Sequence, residues 1–123
     1  MPRPSTKELF GKLRGAKAAV WSGRVFLVGQ GVIARDAMQL GYDIGNELLE
    51  VLGELLEETS AMHYAGARPP QRSYRNEIEG LELFPFVVDS LRFRRRVYFK
   101  FAISRGSLWL VSLHQDSPTK ERA

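Results

Sequence analysis

Residues 92–114 read RFRRRVYFKFAISRGSLWLVSLH, and the way this stretch folds back on itself decides the architecture. In an extended strand successive side chains point to opposite faces. Val97, Phe99, Phe101 and Ile103 therefore share one face, and Arg92, Arg94, Arg96, Tyr98 and Lys100 share the other. After Ser104-Arg105-Gly106-Ser107 the second strand splits into Trp109, Val111 and Leu113 against Leu108, Leu110, Ser112 and His114. Two hairpin registers compete. A three-residue loop (Arg105-Gly106-Ser107) pairs Ser104 with Leu108. It sets Ile103 beside Trp109, Phe101 beside Val111, Phe99 beside Leu113, Lys100 beside Ser112 and Tyr98 beside His114. A two-residue loop sets Ser112 beside Phe99 and His114 beside Val97 instead. A one-residue slip moves the whole apolar set to the wrong face. The three-residue loop is therefore expected, with Gly106 in the left-handed conformation that such loops need.

Upstream, the periodicity changes from two to helical. Ser5-Thr6-Lys7-Glu8 reads as a capping box, and Leu9, Leu13, Ala16 and Val20 recur at helical spacing. A helix is expected over 6–21, stopping near Gly23. Val25 to Val28 is a brief strand or an apolar connection. A short amphipathic helix follows over 32–40, with Gly41 at its end. Asp43 then caps a third helix over 44–56, whose Leu48, Val51, Leu52 and Leu55 face the core and whose glutamates form a solvated face. Residues 60–65 are a candidate strand, and 66–76, with Pro69-Pro70, an exposed loop. Pro85 makes 81–88 an edge strand or a broken one. Residues 116–123 form a polar tail. Helices followed by strands imply one α+β domain, 1–123, with an ordered core over 5–115 and its N-terminal helices packed on a C-terminal antiparallel sheet.

The chain has 123 residues and no cysteine, which excludes disulfides and Cys-based zinc sites. No HExxH, GxSxG or strand–GxGxxG–helix pattern is present, and no metal site is expected. No run of 18 apolar residues suggests a membrane span, and the opening residues carry no apolar signal region, so a cytoplasmic protein is expected. Net charge is +4 with a pI near 9.7. The charge is two-sided. Residues 36–58 carry seven acids and no Lys or Arg, whereas 68–105 carry nine bases and four acids. A basic C-terminal half suits a polyanionic partner.

The hairpin's polar face collects Arg94, Arg96, Tyr98, Lys100, Ser112 and His114. Metal-free phosphodiester cleavage needs a base for a 2′-hydroxyl proton, cations for the phosphorane and an acid for the leaving oxygen. These residue types supply all three, and His63 joins them if its segment pairs nearby. RNA bases would stack on exposed aromatics such as Tyr64 or Tyr74. The plain alternative is a solvated, arginine-rich strand face with structural histidines.

The order of these features resembles the MqsR family of bacterial type II toxins. Val97-Tyr98-Phe99-Lys100-Phe101, a turn, then Leu110-Val111-Ser112-Leu113-His114 is similar to that family's V-Y-x-K hairpin ending in V-S-F and a lysine. Ala19-Val20-Trp21-Ser22-Gly23-Arg24-Val25 resembles its helix closing in Gly-x-Val. Ala37-Met38-Gln39-Leu40-Gly41-Tyr42-Asp43 resembles its stretch ending Leu-Gly-(apolar)-Asp. The likeness runs in order through most of 9–114. It implies a RelE-like ribonuclease fold, cofactor-independent cutting of mRNA, and a cognate antitoxin as protein partner. Tyr98 falls on a family active-site tyrosine, His114 on a functional lysine, and His63 near another lysine. Together with the residues' own chemistry this makes Tyr98, Lys100, His114 and His63 the expected catalytic set, with Lys100 read from its cationic side chain, and Arg68, Arg72, Arg75, Arg94 and Arg96 the RNA contacts expected from the basic charge. The family's glutamine has no counterpart at the matching Phe84-Pro85-Phe86. A non-catalytic RNA-binding or protein-interaction module of the same fold is the competing expectation.

Overall fold

A computed structural model describes residues 5–66, 71–73 and 75–116. The sequence expectations at Arg68, at Tyr74 and for the tail over 117–123 lie outside them. Among the described residues, three helices and four strands occur in the order α1 (Thr6–Trp21), β1 (Val25–Leu27), α2 (Gln30–Leu40), α3 (Ile44–Glu58), β2 (Phe84–Ser90), β3 (Arg95–Ser104) and β4 (Ser107–Gln115). α1 and α3 start where cap chemistry puts them, whereas α2, expected from 32, begins at Gln30 behind Gly29 with no side-chain cap. Ser5 Oγ accepts the Glu8 N–H at 3.0 Å. At α3 the box is reciprocal: Asp43 Oδ1 accepts the Gly45 N–H at 2.9 Å, and Glu47 Oε1 accepts the Asp43 N–H at 2.6 Å. Gly41, at φ 95°, closes α2 in the left-handed conformation.

The sheet has the order β1-β4-β3-β2 and is mixed. The expected C-terminal antiparallel sheet is thus corrected. β1 enters from between the first two helices and pairs parallel with β4, Phe26 opposite Trp109. Half-buried Val25 and Leu27 reach the main core from this strand, which draws it into the sheet. All three helices cover one sheet face. Leu9, Leu13 and Ala16 of α1, Ile33 and Ala37 of α2, and Val51, Leu52 and Leu55 of α3 pack against Phe86, Phe99, Phe101, Leu110 and Leu113.

The hairpin combines the two competing registers. Ser104 pairs with Ser107 across a two-residue turn, not with Leu108. Arg105 at φ 52° and Gly106 at φ 77° both take positive φ, as a type I′ turn requires. Near the turn Phe101 pairs with Leu110, and Ile103 with Leu108. Beyond a bulge at Lys100/Phe101 the pairs are Lys100–Ser112, Phe99–Leu113 and Tyr98–His114. Val111 is the extra residue. The physical reason lies in β4: Leu108, Leu110 and Leu113 are all fully buried. Uniform alternation cannot place both 110 and 113 on one face, and one inserted residue does so.

Arg92 and Arg94 are not on the strand face. They sit in the turn between β2 and β3, where the Arg94 N–H donates to the Ser90 carbonyl at 2.9 Å. Arg92 turns back to α3. Its guanidinium lies 2.7 Å from Glu47, 2.9 Å from Glu50 and 3.1 Å from Glu54. Its hydrogen bonds to Glu50 and then Glu54 hold its pKa above the ordinary value. The glutamate face of α3 is therefore partly a clamp on the sheet rather than only solvated. Arg92→Ala leaves three carboxylates facing one another, and is expected to cost about 1–2 kcal/mol in urea unfolding, with a smaller loss at 1 M salt.

Tyr42, buried beside Phe93, carries a hydroxyl with no hydrogen-bond partner among the described residues. Burial, with a smaller contribution from Asp36, pushes its pKa up to about 12. Below pH 10 the group is neutral in both states. Between pH 10 and about 12 the unfolded chain releases this proton first, so stability falls as pH rises. Tyr42→Phe should stabilise by about 1 kcal/mol at pH 7 and flatten this alkaline loss relative to the parent. Matched thermal melts at both pH values would check it.

β2 is an edge strand, as Pro85 requires. Its outer side is covered by the segment expected to be a strand at 60–65. Ala61–His63 is instead one 3₁₀ turn, followed by a single bridge, Tyr64 to Phe86. The Ala65 N–H donates to the Pro85 carbonyl at 2.9 Å. Asp116, expected in the polar tail, is buried, and its N–H donates to the Arg96 carbonyl. Among the described residues no helix is long and apolar enough to cross a membrane.

Candidate nucleic-acid interface

The sheet face away from the helices is divided in two. The segment after Gln71 doubles back: the Ser73 N–H donates to the Leu81 carbonyl at 2.9 Å, and the Leu83 N–H to the Gln71 carbonyl at 2.8 Å. Ile78, Leu81 and Leu83 cover Val28, Ala102, Trp109 and Val111 in a small second apolar cluster. The other end of the face stays polar and carries Arg96, Tyr98, Lys100, Ser112 and His114.

The β3–β4 register brings Tyr98 opposite His114, with stacked rings 5.1 Å apart and 16° between planes. His114 Nδ1 lies 2.9 Å from the Gln115 carbonyl oxygen, which can only accept. In the neutral ring Nδ1 therefore carries the proton, and Nε2 is the basic nitrogen. Two pairs along, Lys100 lies opposite Ser112 on one side and Pro85 on the other. Burial lowers its pKa. Its Nζ is 3.5 Å from Gln71 Oε1. A glutamine side chain thus reaches this lysine from the loop that precedes β2.

His63 is on the far side of β2. Its Nδ1 accepts the Ser60 N–H at 2.9 Å. It lines a cleft of about 270 Å³ with Val87, Asp89 and Arg96. Asp89, opposite Arg96, accepts from its Nε at 3.4 Å. Val87 pairs with Tyr98, so His63 and His114 flank Tyr98 from opposite sides, separated by roughly three strand spacings, about 14 Å. The structure brings Tyr98, Lys100 and His114 together, with Arg96 next to Tyr98 on the same face of β3, and leaves His63 apart in a cleft that Arg96 also lines.

No protein-family model matches this chain. No curated protein matches it either.

The remaining arginines divide. Arg94, at φ 54°, is exposed in the turn beside the polar end. Arg72 Nη1 is held by the Gly80 carbonyl at 2.7 Å. Arg75 lies against Gly29 at the start of α2. Among the described residues no group of three or more His, Asp or Glu side chains gathers as a metal site. Tyr64 is buried, edge-on to Phe86, and does not offer a stacking surface. Phe26 and Trp109 do, with rings 4.8 Å apart. Sequence reading missed this pair because β1 and β4 meet only through a parallel pairing of distant segments. It missed Gln71 and Asp89 for the same kind of reason. Asp89 follows the alternation of β2, but its partner needs the β2–β3 register, and Gln71 is placed by loop path alone.

What the polar end can do follows from these atoms. His114 Nε2 can take a proton, Tyr98 can donate or share one, and Lys100 and Arg96 can stabilise negative charge.

Proposed function

We propose that this protein is a metal-independent endoribonuclease toxin with an MqsR-like, RelE-like fold, acting on mRNA and neutralised by a cognate antitoxin. The observation that carries the reading is the stacked Tyr98–His114 pair beside a half-buried Lys100 on one rigid sheet face. His114 Nε2 removes the 2′-hydroxyl proton, and the 2′-oxygen attacks the adjacent phosphorus. Lys100 and Arg96 stabilise the phosphorane. Tyr98 donates its hydroxyl proton to the departing 5′-oxygen, leaving a 2′,3′-cyclic phosphate and a 5′-hydroxyl. A lowered lysine pKa suits this step, because the donor hydrogen bond strengthens as the phosphorane gathers charge.

The test is cutting of a defined single-stranded RNA by purified protein in EDTA. Wild type should cut, while Tyr98→Phe and Lys100→Ala should each lose about 10²-fold or more. RNA affinity should fall steeply between 50 and 200 mM salt. Binding without cutting in wild type would favour the RNA-binding module. RNA binding no better than heparin binding would favour a protein-interaction role.

A further inference from the structure

The Phe26–Trp109 stack lies on the same sheet face as Tyr98 and Lys100, because Trp109 pairs with Ala102, two residues along β3 from Lys100. Beside it is a second cleft, about 480 Å³, whose lining includes Phe26, Trp109, Arg24, Arg105 and Glu77. Its floor is the Phe26 ring, 46% exposed on the outer strand of the sheet, backed on one side by the half-buried Trp109. Its rim is cationic and held in place. Arg24 Nε donates to Ser107 Oγ and Arg24 Nη2 to the Arg105 carbonyl, both at 3.3 Å. Arg105 itself projects from the tight I′ turn. A carboxylate, Glu77, completes the wall.

Flat apolar floor, guanidinium rim and one carboxylate acceptor match a planar ring that carries N–H donors and is attached to a phosphate. We propose that this cleft is a nucleobase subsite for single-stranded RNA. It rests on the ribonuclease reading for its substrate and adds where a base of that substrate is held. Four residues of β3 separate Tyr98 from Ala102, about 13 Å along the strand. A base a few nucleotides from the cut can reach that far. Stacking on the Phe26 ring supplies affinity. Glu77 accepts from base N–H groups, and a base with two adjacent donors, as guanine has, gains most.

Trp109 reports on the cleft directly. The full chain carrying Trp21→Phe keeps it as the sole tryptophan, and Trp21 is 92% exposed, so its loss leaves packing intact. Titration with GMP, AMP, CMP, UMP and ribose 5-phosphate should give saturable quenching by the nucleotides, tightest with GMP, and none by ribose 5-phosphate. Phe26→Leu, which keeps apolar bulk but removes the ring, should weaken nucleotide binding about tenfold. Glu77→Gln should remove the preference for GMP. Equal quenching by ribose 5-phosphate, or unchanged affinity in Phe26→Leu, would overturn the subsite. Cutting of RNA in EDTA, followed on the same protein, separates the two ideas. Cutting with no nucleotide quenching overturns the subsite alone, and nucleotide quenching with no cutting supports the subsite and overturns the ribonuclease.

Discussion

Phe86→Ala should lower unfolding free energy by about 3–5 kcal/mol in urea titration, the cost of emptying a fully buried aromatic site. Phe86 has no exposed surface. Its ring lies 5.8 Å from Phe99, from Phe101 and, edge-on, from Tyr64. The first two contacts belong to the sheet core, and the third holds the segment that covers the β2 edge. One substitution therefore opens a cavity and loosens the turn that carries His63. Against a total stability of about 5–15 kcal/mol such a loss is severe. Phe86→Leu, which keeps most of the volume, should cost about 1–2 kcal/mol. An alanine cost below about 1 kcal/mol would mean that the aromatic cluster is not the centre of this core.

The second large effect is on chemistry. His114→Ala should reduce RNA cutting by about 10²–10⁴-fold while leaving the melting temperature near that of wild type. The side chain is only partly buried, and its Nδ1 bonds to the carbonyl of the neighbouring Gln115 rather than to a distant part of the fold. Removing it therefore disturbs little besides the stacked Tyr98 ring. His114→Gln provides a second reading, since it keeps polarity and bulk but cannot accept and carry a proton. Equal loss in both variants would assign the effect to proton transfer, whereas full activity in His114→Gln would reduce the residue to positioning. The pH profile adds an independent mark. In the proposed mechanism Lys100 stabilises the phosphorane only when protonated, and burial sets its pKa below the ordinary 10.5. The alkaline fall in rate should accordingly begin at lower pH than an exposed lysine would give.

The order of helices and strands was legible because its signals are local. Ser5 and Asp43 cap their helices through neighbouring N–H groups, and Gly41 ends α2 through its own φ. The pairing of Tyr98 with His114 was legible too, for a mixed reason. The register argued from burial holds at that end of the hairpin, while its loop length does not hold at the turn, and the bulge at Val111 reconciles them. Counting alternation from the turn cannot find such a bulge, because the need for it comes from helices that bury Leu110 and Leu113 together.

Sequence by itself determined the α+β class, the three helices with the starts of the first and third, the edge position of the Pro85 strand and the residues opposed at the polar end of the hairpin. Tertiary structure alone decided that β1 joins β4 in parallel, that Arg92 leaves the basic face for three glutamates of α3, and that Gln71 lies over Lys100. It also decided that the exposed ring on this sheet face is Phe26, stacked on half-buried Trp109, rather than Tyr64. Periodicity and capping act within a few residues, so the chain states them directly. Ion pairs, parallel strand pairing and loop paths join segments far apart in sequence. Their geometry exists only once the helices have packed and shown which side chains the core has room to bury.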